Sequence, residues 1–472
     1  MIEFSTARIN KDKNYDGRFF FGVKTTGIFC RPSCPAPVAK EENVTYFGSV
    51  FEALDQNFVP CYRCRPDIEL DYYTGSPEGN LLTSSALDLI YKGYLNTHTV
   101  FDLAKKLDIS ERHLRKLFID NIGISPNKIS LYHKAMFAKK MICNSNLPFT
   151  EISHASGFGS IRQLNETIKN TFQKSPTQIR KSLGIKPENG FSLLVKYNPP
   201  FNFTKLLEFL QPRAIPGVEI VTDKSYGRTF RTENECGSFY VTDNPLKNSL
   251  NISINNNDLT CFMEIYTKVR LMFDIDTNLD AISKVLAKSP FLFGENQKRE
   301  IFRIPKSYSP FEFIIRAILG QQISVKAATT LAGRIARLGP QKSNDENIPF
   351  LFPTPEEMLE LDLSQIGITK ARRETIHAVA QSVVDGTLKL NRHQSFEEFH
   401  KSFCSIKGIG DWTAQYVGMR ALGYSDCFPV TDLGILKAMN NNNQKLTNRE
   451  MLDIAENWRP FRSYASFCLW EK

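Results

Sequence analysis

Four cysteines stand in the first 64 residues, as Cys30-x3-Cys34 and Cys61-x2-Cys64. Each short pair sets two sulfurs on one turn, and two such turns can close a tetrahedron around Zn2+. A zinc-bound sulfur is a thiolate, at once a nucleophile and a charge. Four of them leave the site with a formal charge of about −2. Arginines flank both pairs (Arg31, Arg63 and Arg65) and would draw a phosphate close. The spacing suits a closed structural site as well as a reactive one. The reactive one needs a sulfur within reach of an electrophile.

A second set of chemistry-bearing residues lies near the other end. Ser405-Ile406-Lys407-Gly408-Ile409-Gly410-Asp411 separates two helical stretches and reads as helix–hairpin–helix. Gly408 and Gly410 would allow the tight turn, and the amides opening the next helix can hold a phosphate. Trp412 and Tyr416, four residues apart, fall on one helix face and can form an aromatic wall. Asp432 follows after one further helix, which brings a carboxylate near the hairpin.

Several elements must position these groups. A chain of 472 residues exceeds one ordinary core, and two to four domains are expected. Its 42% hydrophobic and 23% charged content is globular. No signal peptide or spanning segment is legible, so a cytoplasmic protein without a membrane partner is expected. In that compartment Cys143, Cys236, Cys261, Cys404, Cys427 and Cys468 read as buried thiols. The net charge is +9, and the segment 83–182 holds 15 Lys and Arg against 7 Asp and Glu. Such a local excess suits a polyphosphate partner.

The fold class expected is multidomain and mainly α, with α+β parts. Residues 1–75 form a small zinc-pinned α/β domain, closed by the turn-rich linker Thr74 to Asn80. Residues 81–183 are helical. Leu103, Ala104, Leu107, Leu114, Leu117 and Phe118 keep helix spacing, with a break at Asp108-Ile109-Ser110 and Ser110 as the helix cap. Ile152, Ala155 and Phe158, then Ile161, Leu164, Ile168 and Phe172, repeat the plan around Gly157 and Gly159. Two helix-turn-helix units joined by a helix around Ser130 to Cys143 result. After a linker at Lys186 to Gly190, residues 191–472 form the third domain. Its first part, 191–280, alternates like strands at Phe191, Leu193, Val195, Phe239, Val241 and Ile252, and 281–472 is helical.

The run Lys24-Thr25-Thr26-Gly27-Ile28-Phe29-Cys30-Arg31-Pro32-Ser33-Cys34 resembles the N-terminal domain of Ada-type methylphosphotriester-repair regulators. So does Phe58-Val59-Pro60-Cys61-Tyr62-Arg63-Cys64-Arg65-Pro66-Asp67. The resemblance makes Cys30 the residue that takes a methyl group irreversibly from a DNA phosphotriester, and Cys30, Cys34, Cys61 and Cys64 the zinc ligands. Methylation would turn one thiolate into a neutral thioether. Two unit charges ~7 Å apart at an effective dielectric of ~20 interact by roughly 2 kcal/mol. That amounts to about tenfold or more in DNA affinity, enough for a promoter switch.

The middle segment resembles the AraC-type DNA-binding domain, through Ile152-Ser153-His154-Ala155-Ser156-Gly157-Phe158-Gly159-Ser160 and Phe172-Gln173-Lys174-Ser175-Pro176. The second helix of each unit would enter a major groove. Arg112, His113 and Arg115 are the candidates in the first, and Arg162, Gln163 and Asn165 in the second. The histidines His98, His133, His154, His377, His393 and His400 show no metal spacing and read as structural.

The third domain resembles the helix–hairpin–helix glycosylases, and within them the AlkA-type 3-methyladenine DNA glycosylase II. The stretches Tyr197-Asn198-Pro199-Pro200-Phe201, Phe311 to Gln321, Phe352-Pro353-Thr354-Pro355 and Trp458 to Ala465 carry this likeness. It implies that Asp432 is the catalytic carboxylate and that Trp412, Tyr416, Trp470 and Phe209 receive a flipped base. It also implies that Lys407, Gly408 and Gly410 hold the DNA backbone. A base alkylated at N3 or N7 is cationic and leaves readily. Aromatic faces would favour it by roughly 0.5 to 2 kcal/mol per contact, while Asp432 stabilises the oxocarbenium-like sugar. Trp412 stands where lyase-active members carry lysine, so hydrolysis without a lyase step is expected. Gln322 replaces an apolar wedge, and Leu433 replaces an aromatic pocket residue. The Pro-Cys-His methyl-acceptor domain of many Ada regulators has no counterpart.

The expected function is therefore alkylation repair joined to regulation. The partners would be damaged and operator double-stranded DNA and RNA polymerase, and the chain a monomer. The alternative is a non-enzymatic DNA-binding transcription factor, with structural zinc and an inactive glycosylase-like domain. A thiol redox sensor, losing zinc to mild peroxide, fits the arginine-rich surroundings less well.

Overall fold

The computed structural model describes residues 2–12, 15–61, 64, 66, 81–145, 147–181, 192–197, 199–232, 236–256, 259–293, 301–391, 394–440 and 446–471. Both expected linkers, His393 and the strand start at Phe191 lie outside them. Two compact units are present. One comprises Met1–Leu193 with Asn257–Thr267, the other Leu194–Asn256 with Lys268–Lys472. The zinc-type segment and the helical segment thus share a unit. A short piece of the expected third domain joins them, where Thr267 donates to the Tyr91 carbonyl and Lys140 to Tyr266 Oη.

In the first unit, strands β1 (Phe20–Val23), β2 (Ile28–Cys30), β3 (Val44–Phe47) and β4 (Val59–Pro60) form a sheet in the order β3-β1-β2-β4. β2 and β4 are parallel, with Ile28 opposite Val59 and Phe29 opposite Pro60. A two-residue strand made of Val and Pro suffices here because the Cys61 amide also donates to the Phe29 carbonyl. Each cysteine pair follows one of these neighbouring strands, so the pairing brings them together.

The helical part of this unit follows the sequence pattern closely. Helices Val100–Lys106 and Glu111–Ile122 flank a turn in which Asp108 adopts φ +56°. Ser110 caps the second by accepting from the His113 amide at 3.2 Å. Helix Pro126–Asn144 leads to the second pair, Phe149–Ala155 and Ile161–Phe172, which Ser160 caps through the Gln163 amide. Leu103, Leu114, Phe118, Ile152, Leu164, Ile168 and Phe172 are buried, each contributing about 1.5–3 kcal/mol of transfer free energy. Ile161, expected inside, is exposed at the start of its helix, because Leu164 and Ile168 already define the inner face.

The second unit opens with an antiparallel sheet of β5 (Ser192–Lys196), β6 (Glu219–Val221), β7 (Ser225–Arg231), β8 (Cys236–Asn244) and β9 (Ser249–Asn255), in the order β5-β9-β8-β7-β6. Helices follow from Leu279–Leu286 to the C-terminal Arg462–Trp470. Helix Pro310–Gly320 is their axis. Eight of its residues are buried, because both of its faces are covered. One apolar cluster gathers around it, and a second gathers Ile282, Ile304, Phe428, Ile435, Trp458 and Phe467. The cavity described below opens in this unit. No described helix is long and apolar enough to cross a membrane.

Candidate functional site

The sulfurs of Cys30, Cys34, Cys61 and Cys64 all lie within 4.8 Å of one another. Cys34 Sγ and Cys61 Sγ are 4.0 Å apart, close to the edge of about 3.8 Å that a tetrahedron with Zn–S bonds of ~2.3 Å requires. The donor set therefore fits Zn2+. The turn between Cys30 and Cys34 is fixed from outside. Asp16 accepts from the Ser33 amide at 3.0 Å and from its hydroxyl at 2.5 Å. The Arg31 amide points at Cys64 Sγ, 3.4 Å away, a contact that favours the thiolate form. Cys30 is only 4% exposed, and Cys34 and Cys61 are also buried, whereas Cys64 is half-buried. The sequence gives no sign of this difference, since all four cysteines look alike in spacing.

Arg112, His113 and Arg115 are exposed on their helix, as are Arg162, Gln163 and Asn165 on theirs. Arg115 pairs with Glu111 at 2.6 Å, and Gln163 accepts from the Gly159 amide at 3.0 Å. Arg112, His113, Arg162 and Asn165 make no such contact among the described residues. His133 is buried against Tyr91.

In the second unit the hairpin joins helices Phe396–Cys404 and Asp411–Val417. Gly408 has φ +93°, and a Cβ there would sit 2.3 Å from Thr375 Oγ1, which itself donates to the Lys407 carbonyl. Gly410, expected to serve the turn, has extended backbone that any residue adopts, with open space where a Cβ would be. The turn thus needs only the first glycine. Lys407, Gly408 and Gly410 are exposed, and no side chain caps the helix that follows. Gln321, which sequence reasoning passed over, ties the hairpin to the axial helix by donating to the Gly408 carbonyl at 3.1 Å. His400 bonds Asp411 at 2.8 Å. Gln322 is exposed with φ +59°.

A cavity of about 720 Å³ lies behind the hairpin, lined by Phe209, Trp412, Tyr416, Asp432, Leu433 and Trp470 among others. Trp412 and Tyr416 stack with centroids 5.2 Å apart, and Trp470 meets Tyr416 edge-on at 5.9 Å. Asp432 caps helix Leu433–Met439. Its Oδ1 accepts from the Gly434 amide (2.8 Å), the Ile435 amide (3.2 Å) and Trp470 Nε1 (2.8 Å). Among the described residues its Oδ2 accepts only from Trp412 Nε1, at 2.9 Å. A carboxylate has about four acceptor positions, so Oδ2 keeps capacity for a ligand. Gly434 permits the grip, since a Cβ there would lie 2.9 Å from the Trp470 ring. Leu433 stands at the pocket wall, 73% exposed.

Phe209 differs from expectation. It lines the cavity, yet Arg213 lies over its ring at 3.8 Å and Arg420 at 4.7 Å. Sequence reading missed both arginines. The available signal was spacing: Arg213 is four residues from Phe209, and Arg420 four from Tyr416.

Four family models match successive sections of the chain. Residues 3–67 match the metal binding domain of Ada, and 103–182 a helix-turn-helix domain. Residues 192–309 match the AlkA N-terminal domain, and 315–460 the HhH-GPD superfamily of base excision DNA repair proteins. A Mycobacterium tuberculosis (strain CDC 1551 / Oshkosh) protein named probable bifunctional transcriptional activator/DNA repair enzyme AlkA is 32% identical over 472 residues. The match covers 98% of this chain and 94% of that protein. The chain belongs to this bifunctional activator and repair family. Within the bifunctional family's architecture, the glycosylase half is also 28% identical to DNA-3-methyladenine glycosylase 2 of Escherichia coli (strain K12), over 58% of this chain and 95% of that one. Among solved structures, 3-methyladenine DNA-glycosylase from Archaeoglobus fulgidus shares the fold, with a TM-score of 0.52 at 21% identity, covering 59% of this chain and 97% of that one.

Proposed function

We propose that the chain senses DNA alkylation, regulates transcription in response and excises alkylated bases. Zn2+ would be held by Cys30, Cys34, Cys61 and Cys64, and would keep the sulfurs ionised at neutral pH. Cys30 Sγ attacks the methyl carbon of a phosphotriester. The new S–C bond forms as the methyl C–O bond breaks, and the phosphate leaves as an ordinary diester anion. The thioether has no leaving path, so each chain reacts once. Arg112, His113, Arg115, Arg162 and Gln163 face operator DNA, and activation implies RNA polymerase as a partner of a monomer. The low exposure of Cys30 sets a condition: the DNA must seat against the knuckle closely enough to meet a sulfur at its surface. Half-buried Cys64 is the competing acceptor.

The single observation that carries the excision reading is the four-donor grip on Asp432 at the wall of an aromatic cavity. Two indoles and two amides orient the carboxylate and leave Oδ2 open. Oδ2 stabilises the cationic sugar as the glycosidic bond breaks and aligns the attacking water. Trp412, Tyr416, Trp470 and Phe209 enclose the flipped base. The exposed Gln322 reaches for the vacated position, and Lys407, Gly408 and Gly410 hold the backbone. The two cavity lysines are committed to ion pairs, Lys205 with Glu471 and Lys306 with Asp274. This favours hydrolysis over a Schiff-base lyase step.

Two measurements test the proposal in one tube of methylated DNA. Intact-mass spectrometry followed by peptide mapping should find one added methyl on Cys30; a methyl on Cys64 reassigns the acceptor, and none leaves a structural zinc site. Release of 3-methyladenine should slow by about a thousandfold in Asp432→Asn. Release equal to wild type would remove the catalytic assignment and favour a non-enzymatic regulator.

A further inference from the structure

The cavity is lined by more cations than its ion pairs use. Arg213, Arg316 and Arg420 line it, and none forms an ion pair with a described residue. Arg228 beside them, by contrast, is held by Glu312 at 2.7 Å and Glu219 at 3.7 Å. Arg420 is 3% exposed. Its Nε donates to the Pro305 carbonyl, and Nη1 reaches Tyr416 Oη only at 3.5 Å. Its remaining donors have no acceptor among the described residues. Phe209, Phe313 and Tyr416 cage the guanidinium at 4.7, 5.3 and 6.0 Å. The aromatic faces suited to a cationic base already hold a resident cation. Burial, and then Arg213 and Arg316, pull its pKa down to about 10 against the pull of Tyr416. Arg316 adds an Nε that is buried without a partner.

Local backbone reinforces the point. Helix Asp411–Val417 runs into a π turn over Gly418–Leu422, which carries Arg420. Such turns re-aim one side chain and recur at functional sites. A guanidinium has donors only. A flipped base entering the cavity beside Tyr416 would meet the donors of these arginines. Guanine offers O6 and N7 as acceptors on that edge, where adenine has an amino donor in place of O6. Methylation at N3 or N7 leaves O6 free.

We propose that Arg420, with Arg316 and Arg213 beside it, reads a carbonyl oxygen on the flipped base, so that alkylated guanines are preferred over alkylated adenines. The inference rests on the cavity being the glycosylase site. The arginines act as specificity residues within it.

DNA methylated to contain both 7-methylguanine and 3-methyladenine gives both rates from the full-length chain. The ratio of kcat/KM for the two lesions should shift against 7-methylguanine by about tenfold or more in Arg316→Met and in Arg420→Lys. The Arg316 side chain makes no hydrogen bond with a described residue, so its variant tests the idea even where Arg420→Lys fails to fold. The free bases are a second readout that needs no turnover. Free 7-methylguanine should quench tryptophan fluorescence at lower concentration than free 3-methyladenine, and Arg316→Met should narrow that gap. Excision of both lesions with an unmoved ratio and equal binding overturns the arginine reading alone. A chain that neither excises nor binds either base overturns the glycosylase reading beneath it.

Discussion

In the first unit four sulfurs crowd within 4.8 Å, three of them buried. In the second, one carboxylate sits among two indole and two amide N–H groups at the wall of an open cavity. Both arrangements suit an anion. The cluster depends on a dication, because four thiolates repel one another. The carboxylate depends on dipoles, because a single charge is stabilised well by a few fixed donors. On the proposed reading the sulfur is consumed by its reaction and needs to be reached once. The carboxylate would be regenerated and would need space for base, sugar and water at every turnover. A tightly packed cluster with one reachable sulfur and an open pocket would fit these two proposed kinetics.

Removing the metal should separate the regions most strongly. Zinc in small structural sites is worth about 10–16 kcal/mol. Chelation under reducing conditions should abolish methyl uptake and expose the first 60 or so residues to protease, while leaving 3-methyladenine release intact. A parallel fall in release would show that the pocket depends on the cluster. Next in size is Asp432→Asn, which should slow single-turnover release by about a thousandfold, roughly 4 kcal/mol. Methyl uptake should not change. Trp470→Phe keeps an aromatic ring, though a smaller one, and loses one N–H to the carboxylate. A hydrogen bond to a charged group is worth about 1.5–3 kcal/mol, so kcat should drop about tenfold to a hundredfold with little change in KM.

The smallest effect concerns a half-buried cation in the first unit. Lys134 donates to the carbonyls of Leu95 and Gly157, both at 2.9 Å, which tie the segment ahead of the first helix-turn-helix unit to the turn of the second. Burial lowers its pKa to about 8 from an ordinary 10.5. Between those values the unfolded chain binds the proton that the folded chain has released, so stability rises with pH across that window. With solvent screening the slope should stay under about 1 kcal/mol per pH unit. Lys134→Met should flatten it in urea melts followed between pH 8 and 10.5. A slope surviving in the variant would place its origin elsewhere.

Local sequence determined a great deal. Cysteine spacing names the zinc ligands because turns are short-range objects. Ser110, Ser160 and the apolar periodicity define both helix-turn-helix units because caps and helix faces repeat within a few residues. The stacked pair Trp412 and Tyr416 follows from one helical turn. Tertiary structure alone decided the rest. Asp432 meets Trp470, 38 residues away, only because two helices and a glycine bring them to contact. Cys30 is less exposed than Cys64 because of what packs over each, and spacing carries no such information. Arg420 takes a face of Phe209 from 211 residues further along the chain. Bond geometry and local propensity act along the backbone, whereas burial, charge balance and cavity shape are sums over neighbours that only the folded chain supplies.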